Sequence, residues 1–344
     1  MEPRIKDRFN DKILEEACQR YGIAPEHIHL LDGFESFMYA FDRPDGDFIL
    51  RIGHSFRRTP ELIHGEVDWL NYLAAGGAGV ARAVFSQEGE LVEQIPDGLG
   101  EHFLATAFVK ARGGPPERAA WNARLFDCWG QLICRMHRLS KDFTPPNPDW
   151  KRPEWDGETN LEVMQFLPPE AVKIRRYFQV LMAHLQALPR DREAYGLVHQ
   201  DAHAGNFFVD EAGNITLFDF DDCVYGHFIY DIAMVIFYAV MRDFEQRTPE
   251  FCLPFFRGYR SENHLDPAWL AEIPSFLKLR EIDMVALIHR SFDVTNLTDP
   301  WVAWFMDGRM ARMARGEPYN PVDFTQFAEA LEGKSKDRST DFAE

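Results

Sequence analysis

Apolar residues change their spacing near residue 111, and the change divides the chain into two textures. Asn10–Tyr21 has the spacing of a short helix. Three stretches rich in β-branched and aromatic residues follow, near His27–Leu31, Phe37–Asp42 and Phe48–Ile52. Asp32-Gly33 and Pro44-Asp45-Gly46 punctuate them as turns. Thr59–Ala75 returns to a helical period and stops at Gly76-Gly77. Two further strands are predicted near Ala81–Ser86 and His102–Val109. Residues 1–111 therefore read as a strand-rich lobe with one inserted helix, a mixed α+β pattern.

At Lys110-Ala111-Arg112-Gly113-Gly114-Pro115-Pro116 the texture changes, and residues 112–332 read as mostly helical. Trp121–Leu139 is one helix, followed by a loop rich in proline. Pro169–Leu188 is another, with Pro169 near its first turn. A β island interrupts at Leu197–Phe220, and helices resume to about Leu331. Residues 333–344 are polar and expected to be disordered.

Composition narrows the classes. The 344 residues carry a formal charge of −18. That excess opposes binding to nucleic acid or to an anionic membrane surface. It is denser before Ala111, so it reads as a solubility feature and not as the mark of a cationic substrate. The longest apolar run, Ile232–Met241, is half of the ~20 residues a spanning helix needs. Met1-Glu2-Pro3-Arg4 has no apolar signal core. Five scattered cysteines without a Cys-x-x-Cys pair fit free thiols in a reducing cytoplasm. Oligomeric state leaves no trace in the pattern.

The island holds the chemistry. It reads Leu197-Val198-His199-Gln200-Asp201-Ala202-His203-Ala204-Gly205-Asn206, then a hairpin through Asp210–Asn214 that ends at Asp219. Alternation would place Ile215, Leu217 and Asp219 on one strand face. Phosphoryl transfer from a nucleotide to a hydroxyl needs a loop aspartate to accept or orient the hydroxyl. It also needs an asparagine five residues later, and an aspartate on the following hairpin, to hold metal across the phosphates. Asp201, Asn206 and Asp219 fit these three roles, and hard oxygen ligands suit Mg2+.

His199-x-Asp201-x-x-x-x-Asn206 followed by Asp219-Phe220-Asp221 resembles the aminoglycoside phosphotransferase and choline kinase family, with Gln200 in place of the usual glycine. The resemblance runs from about Leu30 to Tyr259. It implies a two-lobed protein-kinase-like fold: an antiparallel sheet plus helix in the first lobe, and a mostly helical second lobe with a small β catalytic island. Gly33 and Ser36 sit where the family's phosphate-covering loop lies. Arg51 stands on the strand that carries the nucleotide-binding cation, and Glu66 on the helix that supplies its carboxylate. Ala107, Phe108 and Val109 lie on the strand whose backbone meets the nucleotide base. Gly226-His227-Phe228-Ile229-Tyr230-Asp231 matches the stretch that closes the magnesium segment.

Other readings stand beside several of these residues. His199 either supports the loop or takes part in catalysis. Glu66 without Arg51 would be a solvated helix residue, and Gly33 alone a plain turn. Asp221 either reaches metal or supports the loop. Asp231 is read as the cap of the apolar helix that follows and an anchor for the catalytic segment. Trp301, Trp304, Phe305 and Asp307 form either an apolar helix face or an aromatic box for an amine.

The sequence thus predicts an Mg2+-dependent phosphotransferase that moves the γ-phosphoryl group of ATP or GTP to a hydroxyl of a small molecule. Candidate acceptors are an aminoglycoside, an amino-alcohol, a sugar or a hydroxyl-bearing amino acid. A Ser/Thr protein kinase of the same fold and a non-catalytic nucleotide-binding regulator are the alternatives. Asp201→Asn and Asp219→Ala should each lower turnover by at least about a hundredfold while the fold stays intact. Rates of the purified variants, beside their thermal melts, check this, and near-normal turnover in either would overturn the assignment.

Overall fold

The computed structural model describes residues 1–33, 35–157 and 162–333. The expected disordered tail lies almost wholly outside the described residues. The chain divides into two compact units, each assembled from separate stretches. The first comprises Met1–Pro116, Asp142–Arg152 and Gly205–Cys223. The second comprises Glu117–Lys141, Pro153–Ala204 and Val224–Glu344.

The first unit is built on an antiparallel sheet. Its strands are β1 (Ile28–Leu31), β2 (Phe37–Arg43), β3 (Gly46–His54), β4 (Ala83–Val84), β5 (Glu93–Pro96) and β6 (His102–Val109). They run in the order β1-β2-β3-β6-β4, with β5 also pairing β6. Phe48, Leu50 and Ile52 of β3 point into one core with Phe41, Phe103 and Ala107. Helices α1 (Pro3–Lys6) and α2 (Asp11–Tyr21) add Ile5, Ile13 and Tyr21 to that core. Because strand side chains alternate, Arg51 leaves β3 on the other face. Helix α3 (Pro60–Ala75) begins at Thr59, whose side chain accepts the Leu62 N–H. It buries Ile63, Glu66, Val67 and Leu70, which recur at helical spacing.

The rest of this unit comes from far along the chain. Strands β8 (Phe207–Val209) and β9 (Ile215–Leu217) form a hairpin. Leu217 N–H donates to Gly79 O at 2.8 Å, and Ala81 N–H donates to Leu217 O at 2.9 Å. Buried Arg152 adds three bonds: to Leu62 O (2.8 Å), Cys223 O (2.8 Å) and Asp221 O (2.6 Å).

The second unit is mainly helical. Its elements are α4 (Ala123–Ser140), α5 (Val172–Gln186), β7 (Tyr195–Val198), β10 (Val224–His227), α6 (Phe228–Ala239), α7 (Phe244–Tyr259), α8 (Ile273–Ser291), α9 (Pro300–Met306) and α10 (Arg309–Ala314). Helix α6 is buried all round, as its unbroken apolar run requires. Helices α4 and α7 meet backbone to backbone at two glycines. A Cβ on Gly130 would lie 2.0 Å from Phe255 O, and one on Gly258 would lie 2.0 Å from Asp127 O.

Three expectations need correction. The helix after the proline loop starts at Val172 and not at Pro169, because Pro168–Ala171 closes as a turn in which the Ala171 N–H donates to Pro168 O at 3.0 Å. Strands β5 and β10 escape the periodicity, since four residues show no repeat; β5 pairs with the next strand, β6, across a short turn, and β10 pairs with β7 from about thirty residues away. The β island is not continuous: β7 pairs with β10, whereas β8 and β9 pair with each other.

Gly258→Ala should destabilise the protein by about 1–3 kcal/mol through overpacking against Asp127 O. Denaturant melts check this against Gly114→Ala, where a Cβ meets nothing within 4 Å. Equal stability of the two variants would refute the close approach.

Candidate active site

In the second unit, β7 delivers the loop His199–Ala204. A buried carboxylate holds it: Asp231, inside the first turn of α6, accepts backbone N–H bonds from Gln200 (2.8 Å) and His199 (3.3 Å). Asp231 is therefore the anchor the sequence suggested, but not the helix cap, which is His227. His137 Nε2 lies 3.1 Å from Asp231, and its Nδ1 lies 2.8 Å from Tyr259 Oη. Burial raises the Asp231 carboxyl, but the His137 bond and charge and the loop amide outweigh it, and its pKa is lowered. Burial lowers the His137 pKa, against the bond and the charge of Asp231, which raise it.

His199 is fully buried, and its Nδ1 accepts the Asp201 N–H at 3.2 Å. The geometry supports its loop-holding reading. Gln200 has φ +70°, a left-handed conformation that glycine adopts without strain. Its side chain donates to Tyr230 Oη at 3.0 Å, which offsets part of that cost. Asp201 is a quarter exposed. Its Oδ1 accepts from Arg280 Nη2 of α8 at 3.1 Å, and its Oδ2 faces His203 Nε2 at 3.4 Å. Burial raises the Asp201 carboxyl, but the His203 bond and the charges of Arg280, His203 and His199 outweigh it. Asp201 is thus held ionised, as an acceptor of a hydroxyl proton must be.

In the first unit, register Phe207↔Leu217 puts Asn206 and Phe218 opposite each other, and Phe218 N–H donates to Asn206 O at 2.9 Å. Asp219 is the next residue, so two residues thirteen apart in sequence take adjoining backbone positions. The strand stops at Leu217 and Asp219 has φ +66°. That turn leaves Asp219 exposed instead of continuing the buried face expected from alternation. Phe220 packs edge-on against Trp69 of α3, with ring centroids 5.4 Å apart.

Arg51 and Glu66 form a buried fork in this unit. Nη1 and Nη2 reach the two carboxylate oxygens at 2.8 and 2.7 Å, and Nε reaches Thr106 Oγ1 at 3.3 Å. Burial would lower the Arg51 pKa, but Glu66, then Asp221 and Asp219, raise it instead. Asp221 is the counter-ion of an arginine cluster, with Arg57 at 2.5 Å, Arg58 at 3.4 Å and Arg51 at 4.0 Å. Arg57 also pairs with Glu35 of the Gly33 loop. A Cβ on Gly33 would fall 2.3 Å from Ser36 O, so the turn demands glycine. Ala107, Phe108 and Val109 lie on β6, where Val109 N–H is already given to Arg82 O at 2.9 Å.

Sequence reasoning missed Arg57, Arg58, Arg280 and Asp283. An arginine thirty or more residues from its partner has no local signature. In the Trp301 cluster Phe305 is fully buried and Trp301 is exposed, Trp304 carries Arg242 over its ring at 4.0 Å, and Trp304 and Asp307 line a cavity of about 500 Å³ together with Glu281, Arg309, Arg312 and Glu317.

Comparison with known proteins follows the same lines. A model of the phosphotransferase enzyme family matches residues 27–273. Amicoumacin kinase of Bacillus subtilis (strain 168) is 37% identical over 328 residues, 93% of this chain and 97% of that one. Homoserine kinase of Gluconobacter oxydans (strain 621H) is 23% identical over 278 residues, 78% of this chain and 82% of that one. The structure of amicoumacin kinase hAmiN in complex with AMP-PNP, Ca2+ and Ami is similar with a TM-score of 0.90 and 36% identity, covering 95% of this chain and all of that one. A microcompartment-associated aminopropanol kinase is similar in fold, with a TM-score of 0.70 at 22% identity, over 89% of this chain and 95% of that one. The fold is therefore α+β and protein-kinase-like, as the resemblance implied.

Asp283, one turn beyond Arg280 on α8, has its carboxyl pushed up to about 7 by burial, against the pull of Arg280. An unfolded chain releases that proton near the ordinary value of 3.8. The favourable contribution is present at low pH and is lost as pH rises from about 4 to about 7. Asp283→Asn, neutral throughout, should therefore raise the melting temperature relative to the natural chain more at pH 8 than at pH 5. The same difference at both pH values would show that Asp283 does not titrate in this window.

Proposed function

We propose a specific reaction for this chain, which belongs to the phosphotransferase enzyme family: transfer of the γ-phosphoryl group of ATP to a hydroxyl of a small molecule, with Mg2+. The chain is a small-molecule kinase, and the likeness to amicoumacin kinases over more than nine-tenths of its length makes amicoumacin the first acceptor to test.

In this reading Asp201 orients the hydroxyl and takes its proton. Arg51 contacts nucleotide phosphates and is steadied by Glu66. Gly33 and Ser36 cover the phosphates, and the β6 strand around Ala107, Phe108 and Val109 meets the base. His199, Asp221 and Asp231 hold the loops. Asn206 and Asp219 suit a hard divalent ion, since both offer oxygen donors from adjoining positions of one hairpin. Among the described residues no group of three His, Cys, Asp or Glu side chains forms a metal site. A two-ligand set fits an ion whose other positions are filled by phosphate oxygens and water. When bound, the metal supplies positive charge that offsets the charge on the transferring group.

The observation that carries the reading is the buried Arg51–Glu66 fork, the arrangement a kinase needs before it can act. It weighs against a non-catalytic regulator, which has no use for both a preformed cation in the first unit and an ionised Asp201 in the second. No described helix is long and apolar enough to cross a membrane, and we place the enzyme in the cytoplasm, where ATP is supplied.

Incubation with ATP or GTP, Mg2+ and amicoumacin, followed by mass spectrometry, should show one added phosphoryl group on the acceptor. Label passing from ATP only into protein bands would favour the protein-kinase alternative. Nucleotide binding without transfer to any acceptor would favour the regulator.

A further inference from the structure

Within the second unit, a different side chain meets each oxygen of Asp201. Arg280 Nη2 of α8 donates to Oδ1 at 3.1 Å, and His203 Nε2 lies 3.4 Å from Oδ2. Tyr238 of α6 ties these two partners together. Its hydroxyl accepts a second bond from Arg280, and its ring meets the His203 ring edge-on with centroids 4.7 Å apart. Asp201, Arg280, Tyr238 and His203 thus close a ring of side chains. The backbone belongs to the same arrangement, since His203 N–H donates to Asp201 O at 2.8 Å. That tight turn returns His203 to the side of the residue two positions before it. A histidine placed only for solubility would need none of these contacts.

The neighbours of Asp201 differ in what they can do with a proton. Asp201 must lose the proton it takes from a hydroxyl before it can serve again. Arg280 is a permanent cation with no lone pair to receive one. Tyr238 keeps its own proton, because burial pushes its hydroxyl above the ordinary value. His199 is fully buried, and its Nδ1 is engaged by the Asp201 N–H. His203 is left. Its side chain is a quarter exposed, so it touches both the carboxylate and water, and imidazole exchanges protons near neutral pH. The exposed part of Asp201 is where an acceptor hydroxyl must sit. While the acceptor is bound, a route through His203 stays open when direct contact of Asp201 with water does not.

We propose that His203 carries the proton from Asp201 to water. This rests on the phosphotransferase reading, in which Asp201 takes the hydroxyl proton. The hydroxyl oxygen forms its bond to the γ-phosphorus as the bond from that phosphorus to the bridging oxygen breaks, and the electron pair leaves with ADP. The hydroxyl proton passes to Asp201 Oδ2, because Arg280 occupies Oδ1. It then passes to Nε2 of a neutral His203, which restores the carboxylate beside an imidazolium. The imidazolium gives a proton to water. His203 acts through Asp201 and is a positioning residue for the proton, with no contact to the transferring phosphoryl group.

The test uses the purified full chain with ATP and Mg2+, and amicoumacin, aminopropanol or homoserine as acceptor, in buffers free of imidazole. His203→Ala should lower kcat by about tenfold or more, with KM for ATP unmoved. Added imidazole should restore part of that loss in proportion to its unprotonated fraction, and should do nothing for Asp201→Asn. His203→Gln still offers Asp201 a hydrogen-bond donor but cannot carry a proton, so it should be as slow as His203→Ala. In the natural chain kcat should fall at low pH as His203, set among Asp201, Arg280, Tyr238 and His199, becomes charged in advance and can take no further proton. His203→Gln should lack that limb. Near-normal kcat in His203→Gln, or a loss in His203→Ala that imidazole leaves unchanged, would overturn this inference and leave the phosphotransferase intact. Near-normal turnover in Asp201→Asn, or no transfer by the natural chain to any of these acceptors, would bring down the proposed reaction and the inference with it.

Discussion

Asp231 carries its charge where water cannot reach it, and the loop His199–Ala204 depends on that charge. Two successive backbone amides, from His199 and Gln200, and the ring of His137 converge on one carboxylate. Removing one partner of such a buried group costs about 3–5 kcal/mol. That is a large part of the ~5–15 kcal/mol by which a domain is stable. The energy is localised, so it does more than stabilise. It fixes the backbone of residues 199–201 and makes room for a left-handed residue at Gln200. With that backbone set, the direction in which Asp201 leaves the loop is set too.

The first unit uses the same physics with the signs reversed. Arg51 is an obligate cation, and Glu66 pairs with it through two parallel bonds from α3. Asp221 balances Arg51, Arg57 and Arg58, and Arg57 also reaches Glu35 in the turn after Gly33. The Asp219–Asp221 segment, strand β3 and the turn after Gly33 are therefore joined by charge as well as by packing. These arginines are already held in place. Preorganisation of this kind is what phosphoryl transfer asks of a protein, since the reaction needs positioning and charge neutralisation more than covalent help.

Much of this was legible in the chain, for reasons that differ from residue to residue. Asp201, Asn206 and Asp219 announce themselves because loop and hairpin chemistry is local and tied to spacing. Arg51 and Glu66 were singled out by the family resemblance alone, since neither an arginine on a strand nor a glutamate on a helix has a signature of its own; in the structure they pair. Helices α2 and α3 carry Asn10 and Thr59 as caps, so their starts were plain. Strand β10 was invisible because its four residues gain their meaning only from β7, about thirty residues back. Arg280 is nearly eighty residues from Asp201, and nothing in α8 distinguishes it from other arginines before the helix is folded. The exposed setting of Asp219 could not be seen either, since a single left-handed residue undoes the alternation on which the expectation rested.

The two units are interleaved along the chain, which passes from one to the other at five points. A gene fragment ending near codon 116 would encode the sheet yet lack Arg152 and the hairpin that carries Asn206 and Asp219. The remainder would encode the loop of Asp201 together with orphaned pieces of the other unit. No single cut separates the two units, so neither can be exchanged as a cassette with that of a relative. Divergence of either unit must then proceed by point changes and loop insertions, within a reading frame kept whole.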